Sequence, residues 1–506
     1  MKHIFIFTII LATLLVACGS GNNYGINLEL VEPIDQTNDP FATIKTINFT
    51  VINAANMEET KKFIFESTTG FSDFAANLND LEYWPEVIIR AEGFDPEEKL
   101  VAMGQTTHLS TQSYASTTVA IYFAPVLSIS IPPQSVQMRH KRAGLKMVVP
   151  SSTNLLVVGG IAMNKDGSLD NTVSEVGLFL PQSYYLDILQ NGENNYNSGN
   201  GLGITAHSLT PLSSGSILVA GGYSKLAEQI SYIEKPVILS ALTTSIETEL
   251  IQKDIFTPRI NHQASINYTE EYALVCGGRD QSGITLNDCF KVTEDDFSME
   301  KLFEMQQARS NFTQTNAVDE ESSEVKGVLF YGGNSDENKV AEWQTAYSNE
   351  SILLGNAIQE TRTSHASASL SKGRIIISGG LVSGTASDSV VLFDSNCMDL
   401  ETCQAFSLHQ GLLKTARYGH SLTAISANEV LACGGYDKDG LSIGDCELIK
   451  TDDENSVTQK ATIAMNYKRA EHDAVYLPDG TVMIAGGYNE ESGALDSVEI
   501  FMPETF

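Results

Sequence analysis

RAEHDAVYLPDGTVMIAGGYNEESGALDSVEIF, residues 469–501, spans most of one structural period. HDAVYL reads as a strand, and PDG is a hairpin turn signal. TVMIAGG is a second strand, apolar throughout and ended by Gly486-Gly487. NEESG is a polar loop with its own glycine, and LDSVEIF is a third strand. A fourth strand, TQKATIAM, stands just before Arg469. Four short antiparallel strands in a repeated unit predict one blade of a β-propeller.

The apolar run closed by Gly-Gly occurs seven times. The runs are LLVVGG (Gly159-Gly160), ILVAGG (Gly221-Gly222), ALVCGG (Gly277-Gly278), VLFYGG (Gly332-Gly333), IIISGG (Gly379-Gly380), VLACGG (Gly434-Gly435) and VMIAGG (Gly486-Gly487). The spacing runs from 47 residues (Gly332 to Gly379) to 62 (Gly159 to Gly221), the range of propellers and other arrays. A second signature lies upstream of each run. Units 3, 5, 6 and 7 carry R-I-N-H (Arg259, His262), R-T-S-H (Arg362, His365), R-Y-G-H (Arg417, His420) and R-A-E-H (Arg469, His472). Unit 1 keeps Arg142 with Leu145 in the histidine slot, and unit 4 keeps Arg309 with Phe312 there. Unit 2 keeps His207 with Ile204 in the arginine slot.

An apolar strand closed by Gly-Gly, a glycine loop and a D-x-V-E third strand together resemble the kelch family. The likeness covers about residues 134–506 and is specific through its repetition. It departs from the family in lacking most of the Tyr and Trp that usually follow the third strand; Trp343 is the one Trp in the repeats. The fold class expected is all-β: a seven-bladed kelch-like β-propeller over residues 129–506, preceded by a β-sandwich. The seventh unit shows only three strands before Phe506, so a strand near residues 134–138 (QSVQM) is expected to close the ring. Such closure covers sheet edges that would otherwise invite aggregation.

Residues 26–128 fall outside the repeat. TIKTINFTVI, KKFIFES, EVIIRAEGFD, KLVAMGQT and TTVAIYFAP alternate apolar and polar residues, as strands of an immunoglobulin-like sandwich do. EGFDPEEKLVAMG reads as a hairpin with its loop at Asp95 to Glu98, and Asn77 to Trp84 as a short helical turn.

Residues 1–17 read as a targeting segment, with Lys2 ahead of a short apolar run that ends Leu15-Val16-Ala17-Cys18. That ending resembles the bacterial lipoprotein box, which implies a diacylated Cys18 as the first mature residue. Residues 18–25 would then be the lipidated cysteine and a flexible tether. Gly19 is not the Asp that retains some lipoproteins at an inner membrane, so the resemblance points to the outer membrane. Setting Cys18 aside leaves six cysteines. Cys276 and Cys433 each precede a Gly-Gly, and Cys289 and Cys446 each follow thirteen residues later. These are expected disulfides on neighbouring strands of one blade, with Cys397 and Cys403 as a third, local pair, in keeping with an oxidising compartment.

The formal charge of −32 excludes nucleic acid as a partner, because a phosphate backbone requires a basic surface. Six arginines (Arg142, Arg259, Arg309, Arg362, Arg417, Arg469) enter successive innermost strands. They are candidates for a cationic collar that binds an anionic glycan or acidic peptide. The competing role is pairing with acids or carbonyls of the blades. The recurring histidines suit hydrogen bonding to the adjacent blade, since positions spread round a wide ring cannot share one ion. No metal or other cofactor is implied. The acidic loops NKDGSLD, DKDG and NEESG (from Asn164, Asp437 and Asn489) suit turn chemistry, and NGENNYNSGNG (191–201) reads as a solvated loop. The expected function is a lipid-anchored envelope module that binds a protein or glycan at the ring mouth. The alternative is a carbohydrate-active enzyme resembling galactose oxidase or a kelch-type sialic-acid mutarotase. The copper oxidase pattern is missing its Tyr-His dipeptide, and no G-x-S-x-G, HExxH or phosphate loop occurs.

Overall fold

The computed structural model describes residues 24–506 except 36–37, 68–70, 72–73, 116, 151–153, 192–201, 242–244, 252–254, 268, 270, 295, 297, 320–321, 323, 335–339, 347, 356–359, 399–402 and 453–454. Cys18, the targeting segment and most of the 191–201 loop lie outside the described residues. The chain is all-β and built of many small antiparallel sheets.

Residues 24–125 form two sheets. One is three-stranded (Ala75–Leu81, Tyr24–Val31, Thr118–Tyr122) and the other five-stranded (Glu59–Glu66, Thr46–Asn53, Val87–Phe94, Leu100–Gln105, Ala124–Pro125). One apolar core joins them, with Ile26, Leu28, Ile47, Phe49, Leu78, Ile89 and Ile121 buried from both. The hairpin loop at Asp95 is present, with Asp95 N donating to Lys99 O at 3.0 Å. Two expectations are corrected. Ala75–Leu81 is a strand where a helical turn was read: Ala76, Leu78 and Leu81 alternate onto the core. The first strand already begins at Tyr24, inside the expected tether.

Units 3 to 6 are four-stranded sheets in strict sequence order, such as Ser421–Ala424, Glu429–Cys433, Asp445–Thr451 and Val457–Ala464. Units 1 and 2 share one eight-stranded sheet, because their fourth strands pair in parallel at Gln190↔Ser245 and Asn191↔Ile246. In the seventh sheet Asp473–Tyr476, Val482–Ala485 and Val498–Met502 receive Ser128–Ser130 as a fourth strand. The closing strand therefore stands ahead of the expected 134–138. Pro132 and Pro133 supply no N–H and end the ladder, and Gln134–Val136 is a 3-10 turn. Gln137 still reaches the same sheet: its side chain accepts from Val498 N (2.8 Å) and donates to Val498 O (3.3 Å).

The seven units are linked in a cycle. The N–H of each second glycine donates to the carbonyl of the arginine-slot residue one unit on: Gly160 to Ile204, Gly222 to Arg259, Gly278 to Arg309, Gly333 to Arg362, Gly380 to Arg417 and Gly435 to Arg469. Gly487 then donates to Arg142 of the first unit at 2.9 Å. The innermost strands follow the same circuit, and Asp473–Tyr476 lies against Lys146–Val148.

Gly379-Gly380 shows why both residues are glycine. Both have positive φ (+58° and +91°). A Cβ on Gly379 would sit 2.3 Å from Arg417 O of the next unit; one on Gly380 would sit 2.7 Å from the His365 Cβ of its own. At both positions the neighbouring atoms leave room for hydrogen alone.

All three expected disulfides are present: Cys276–Cys289, Cys397–Cys403 and Cys433–Cys446. The two repeat-related bridges join directly opposed residues of a unit's second and third strands.

Candidate binding channel

The six arginines do not form an open collar. Arg142 is 1% exposed and the other five are fully buried. Each guanidinium turns back into its own sheet, where Nη1 donates to the carbonyl of the first glycine of that unit's Gly-Gly. The rest of the fork meets the third strand. Arg309 pairs with Glu342 (3.0 Å), Arg417 with Glu447 (2.7 Å) and Asp445 (2.8 Å), and Arg469 with Glu499 (2.5 Å). Arg259 takes Asp288 and Arg142 takes Glu175, whereas Arg362 uses Ser389 and the partly exposed Glu360. These carboxylates are further engaged by backbone: Lys414 N and Thr415 N both donate to Glu447. The binding collar is thus corrected to a structural clamp. A guanidinium drawn out of water is stable only where carboxylate and carbonyl oxygens surround it. The D-x-V-E strands were noted as family-like, and their recurring acid was the signal for this partner.

The histidines serve the joint between units, as their recurrence implied. His262 Nε2 meets Ser208 Oγ (2.9 Å), His365 meets Thr313 Oγ1 (3.0 Å), His420 meets Ser378 Oγ (2.7 Å) and His472 meets Ser421 Oγ (2.9 Å). Each hydroxyl belongs to the preceding unit. His207 is the exception: it is 4% exposed and, among the described residues, neither ring nitrogen has a hydrogen-bond partner.

Burial pushes the imidazoles of His207, His262 and His365 down to about 3, and those of His420 and His472 well below their usual range. The guanidinium of the same unit adds to this in all but His207. The unfolded chain binds these protons near pH ~6.5, before the folded chain does. Stability is therefore full above that pH and falls below it, by up to about 1.4 kcal/mol per pH unit for each histidine. Asp473, Asp479 and Glu471 act oppositely, since burial raises their carboxyls and the folded state protonates first. Five histidines against three carboxyls give a net loss on acidification. The denaturant midpoint should fall between pH 7 and 5. His207→Leu should flatten that slope by about one proton. Leu145 shows that leucine fits this slot; an unchanged slope would contradict the assignment.

A cavity of about 550 Å³ is lined by residues from all seven units, and the innermost strands supply most of its wall. Its wall is rich in hydroxyl and amide groups, among them Thr210, Gln263, Ser265, Thr315, Asn316, Ser367 and Ser421. Among the described residues, Lys146 and Asp473 are its only charged lining residues. They occupy one register position, the residue after the histidine slot, in units 1 and 7. Asp473 accepts from Met147 N (2.7 Å) and Ala474 N (3.1 Å), which fastens it to the strand that carries Lys146. Glu471 stands just before His472; water reaches it, yet protein surrounds it, and desolvation raises its carboxyl.

One residue per unit turns left-handed just before the histidine slot: Gly144, Ala206, Asn261, Asn311, Ser364, Gly419 and Glu471, with φ from +52° to +62°. Several of these turns are tied to one another, as in Gly144 N to Glu471 O (2.8 Å) and Gly419 N to Ser364 O (2.8 Å). Non-glycine residues are rarely found in this conformation, and here five of the seven turns hold one. Gly or Asn at four of the seven positions was the sequence signal, and it went unread.

The acidic loops are side-chain-capped turns, and Glu490 of NEESG also accepts from Ser442 N (2.8 Å) and Ser442 Oγ (2.7 Å) of the preceding unit. Asp437 Oδ1 accepts from Asp439 N and Leu441 N, and Asp280 Oδ1 from Ser282 N and Ile284 N. Among the described residues no three His, Cys, Asp or Glu side chains converge as a metal site requires. No protein-family model matches the chain, and no curated protein matches it.

Proposed function

We propose that this chain is a bacterial envelope lipoprotein held by acylated Cys18. Residues 129–506 would form a seven-bladed kelch-like propeller on an immunoglobulin-like sandwich, acting as a binding module for a hydroxyl-rich ligand such as a glycan fragment. The closed circuit of inter-unit hydrogen bonds and the Gly-Gly contacts support the ring reading. The observation that carries the function is the cavity. Its volume, about 550 Å³, suits a small ligand, and its convergent hydroxyl and amide groups suit hydrogen bonding to sugar hydroxyls. The buried arginines remove the case for a polyanion held by a cationic mouth.

The test is a thermal-shift screen of the mature chain without residues 1–18 against neutral and acidic sugars. A ligand at 100 times its dissociation constant adds about 2.7 kcal/mol. Ala366→Trp fills the channel without removing a polar group and should abolish the response. A response that survives the plug, or no response to any sugar, would sink this reading.

A further inference from the structure

We propose that the channel ligand carries a single carboxylate received by the Lys146 ammonium, making it a hydroxylated monocarboxylate about the size of an acidic sugar. This rests on the channel being the binding site.

The ring breaks its own pattern at Lys146. The residue after the histidine slot is Ser208, Gln263, Thr313, Ala366, Ser421 and Asp473 in the other units. Where the next unit has a histidine, this residue is usually the hydroxyl that caps it, as Ser208, Thr313 and Ser421 do. Ala366 cannot, and there Ser378 takes over. Lys146 also cannot, and nothing replaces it, so His207 is left buried with two unpartnered nitrogens. An unmade buried hydrogen bond destabilises a fold, and positions that break a local rule concentrate at functional sites. What the chain gains there is an ammonium in the channel.

That ammonium is unclaimed. Among the described residues Lys146 makes no hydrogen bond or ion pair, although it is the only Lys or Arg lining the cavity. Of the nearby acids, Asp473 is committed to two backbone N–H groups. Glu471 and Asp473 both feel the Lys146 charge, which works against the desolvation of their carboxyls, but neither makes a direct contact with the ammonium. Lys146 is exposed to the channel and open to an anionic group, whereas the surrounding charge of −32 repels anything polyanionic. One carboxylate with hydroxyls for the Ser, Thr, Asn and Gln wall satisfies both conditions.

Calorimetric titration with matched probes tests this: D-glucuronate and D-galacturonate against D-glucose and D-galactose. The acidic member of a pair should bind at least tenfold more tightly. Lys146→Met should erase that preference, and Lys146→Arg should retain it. Lys146→Ser gives His207 a hydroxyl; it should raise the thermal midpoint while losing the preference, which separates ligand recognition from folding. If neutral sugars bind and the acids gain nothing, or if Lys146→Met keeps the preference, this inference fails while the channel reading stands. If no sugar binds, both fail.

Discussion

Arg417→Ala is expected to cost about 3–5 kcal/mol of folding stability, measured by denaturant unfolding, and not to act through ligand affinity. The guanidinium is fully buried, donates to Gly434 O at 3.0 Å and pairs with Glu447, itself 0% exposed, and with Asp445. Removing it strands the Glu447 carboxylate away from water with only Lys414 N and Thr415 N left as donors. Arg309 and Arg469 stand in the same situation and should cost as much. Arg362 should cost less, because its partners are a serine hydroxyl and the partly exposed Glu360, which water can still reach. A double replacement, Arg417→Met with Glu447→Leu, should recover much of the loss, since no fully buried charge is then left unpaired and Asp445 is partly exposed to water. An Arg417→Ala protein of unchanged stability would refute the clamp and restore the collar as a candidate mouth.

Gly379→Ala is the second large effect, expected at about 3 kcal/mol. The backbone at φ +58° disfavours any L side chain by about 1–2 kcal/mol. The new Cβ would also meet Arg417 O at 2.3 Å and His420 Cε1 at 2.8 Å, and such overpacking adds about 1–3 kcal/mol. The backbone carbonyl cannot swing away, because it accepts the Gly380 N–H that links units 5 and 6. Gly384→Ala is the control. Its φ is +79°, yet nothing lies within 4 Å of the added carbon. It should cost only the backbone strain, about 1–2 kcal/mol. Equal losses at the two sites would mean that inter-unit contact contributes nothing at Gly379.

Much of this structure was legible in one dimension. The alternation in residues 469–501 placed its strands within three residues, because strand formation depends on local patterning and turn residues. The cysteine pairs were readable for a related reason. Equivalent positions in a repeat occupy equivalent positions in a sheet, and Cys433 and Cys446 therefore face each other. The closing strand was misplaced by a few residues. Either segment is long enough to pair with Val498–Met502, and the two prolines decide between them only once the neighbouring edge is in place.

The site was less legible. Read linearly, six arginines at one repeat position fit a binding collar or a clamp equally well, since the sequence shows charge but not depth. Depth comes from the fold: the turn drives each guanidinium inward, and at Arg259, Arg309, Arg417 and Arg469 an acid of the third strand awaits it. Lys146 went unnoticed because a single lysine carries no pattern. It stands out only when the innermost strands are set side by side and the other six positions prove uncharged or acidic. The sequence by itself determined the strands, the seven-fold period and the paired cysteines, all of which rest on contacts between near neighbours in the chain. Which charges are buried, which strand closes the circuit and which cation faces the channel were decided by the tertiary structure. Those properties depend on residues far apart in the chain, such as Arg142 and Gly487, or Ser128 and Met502, meeting where the first and last units join.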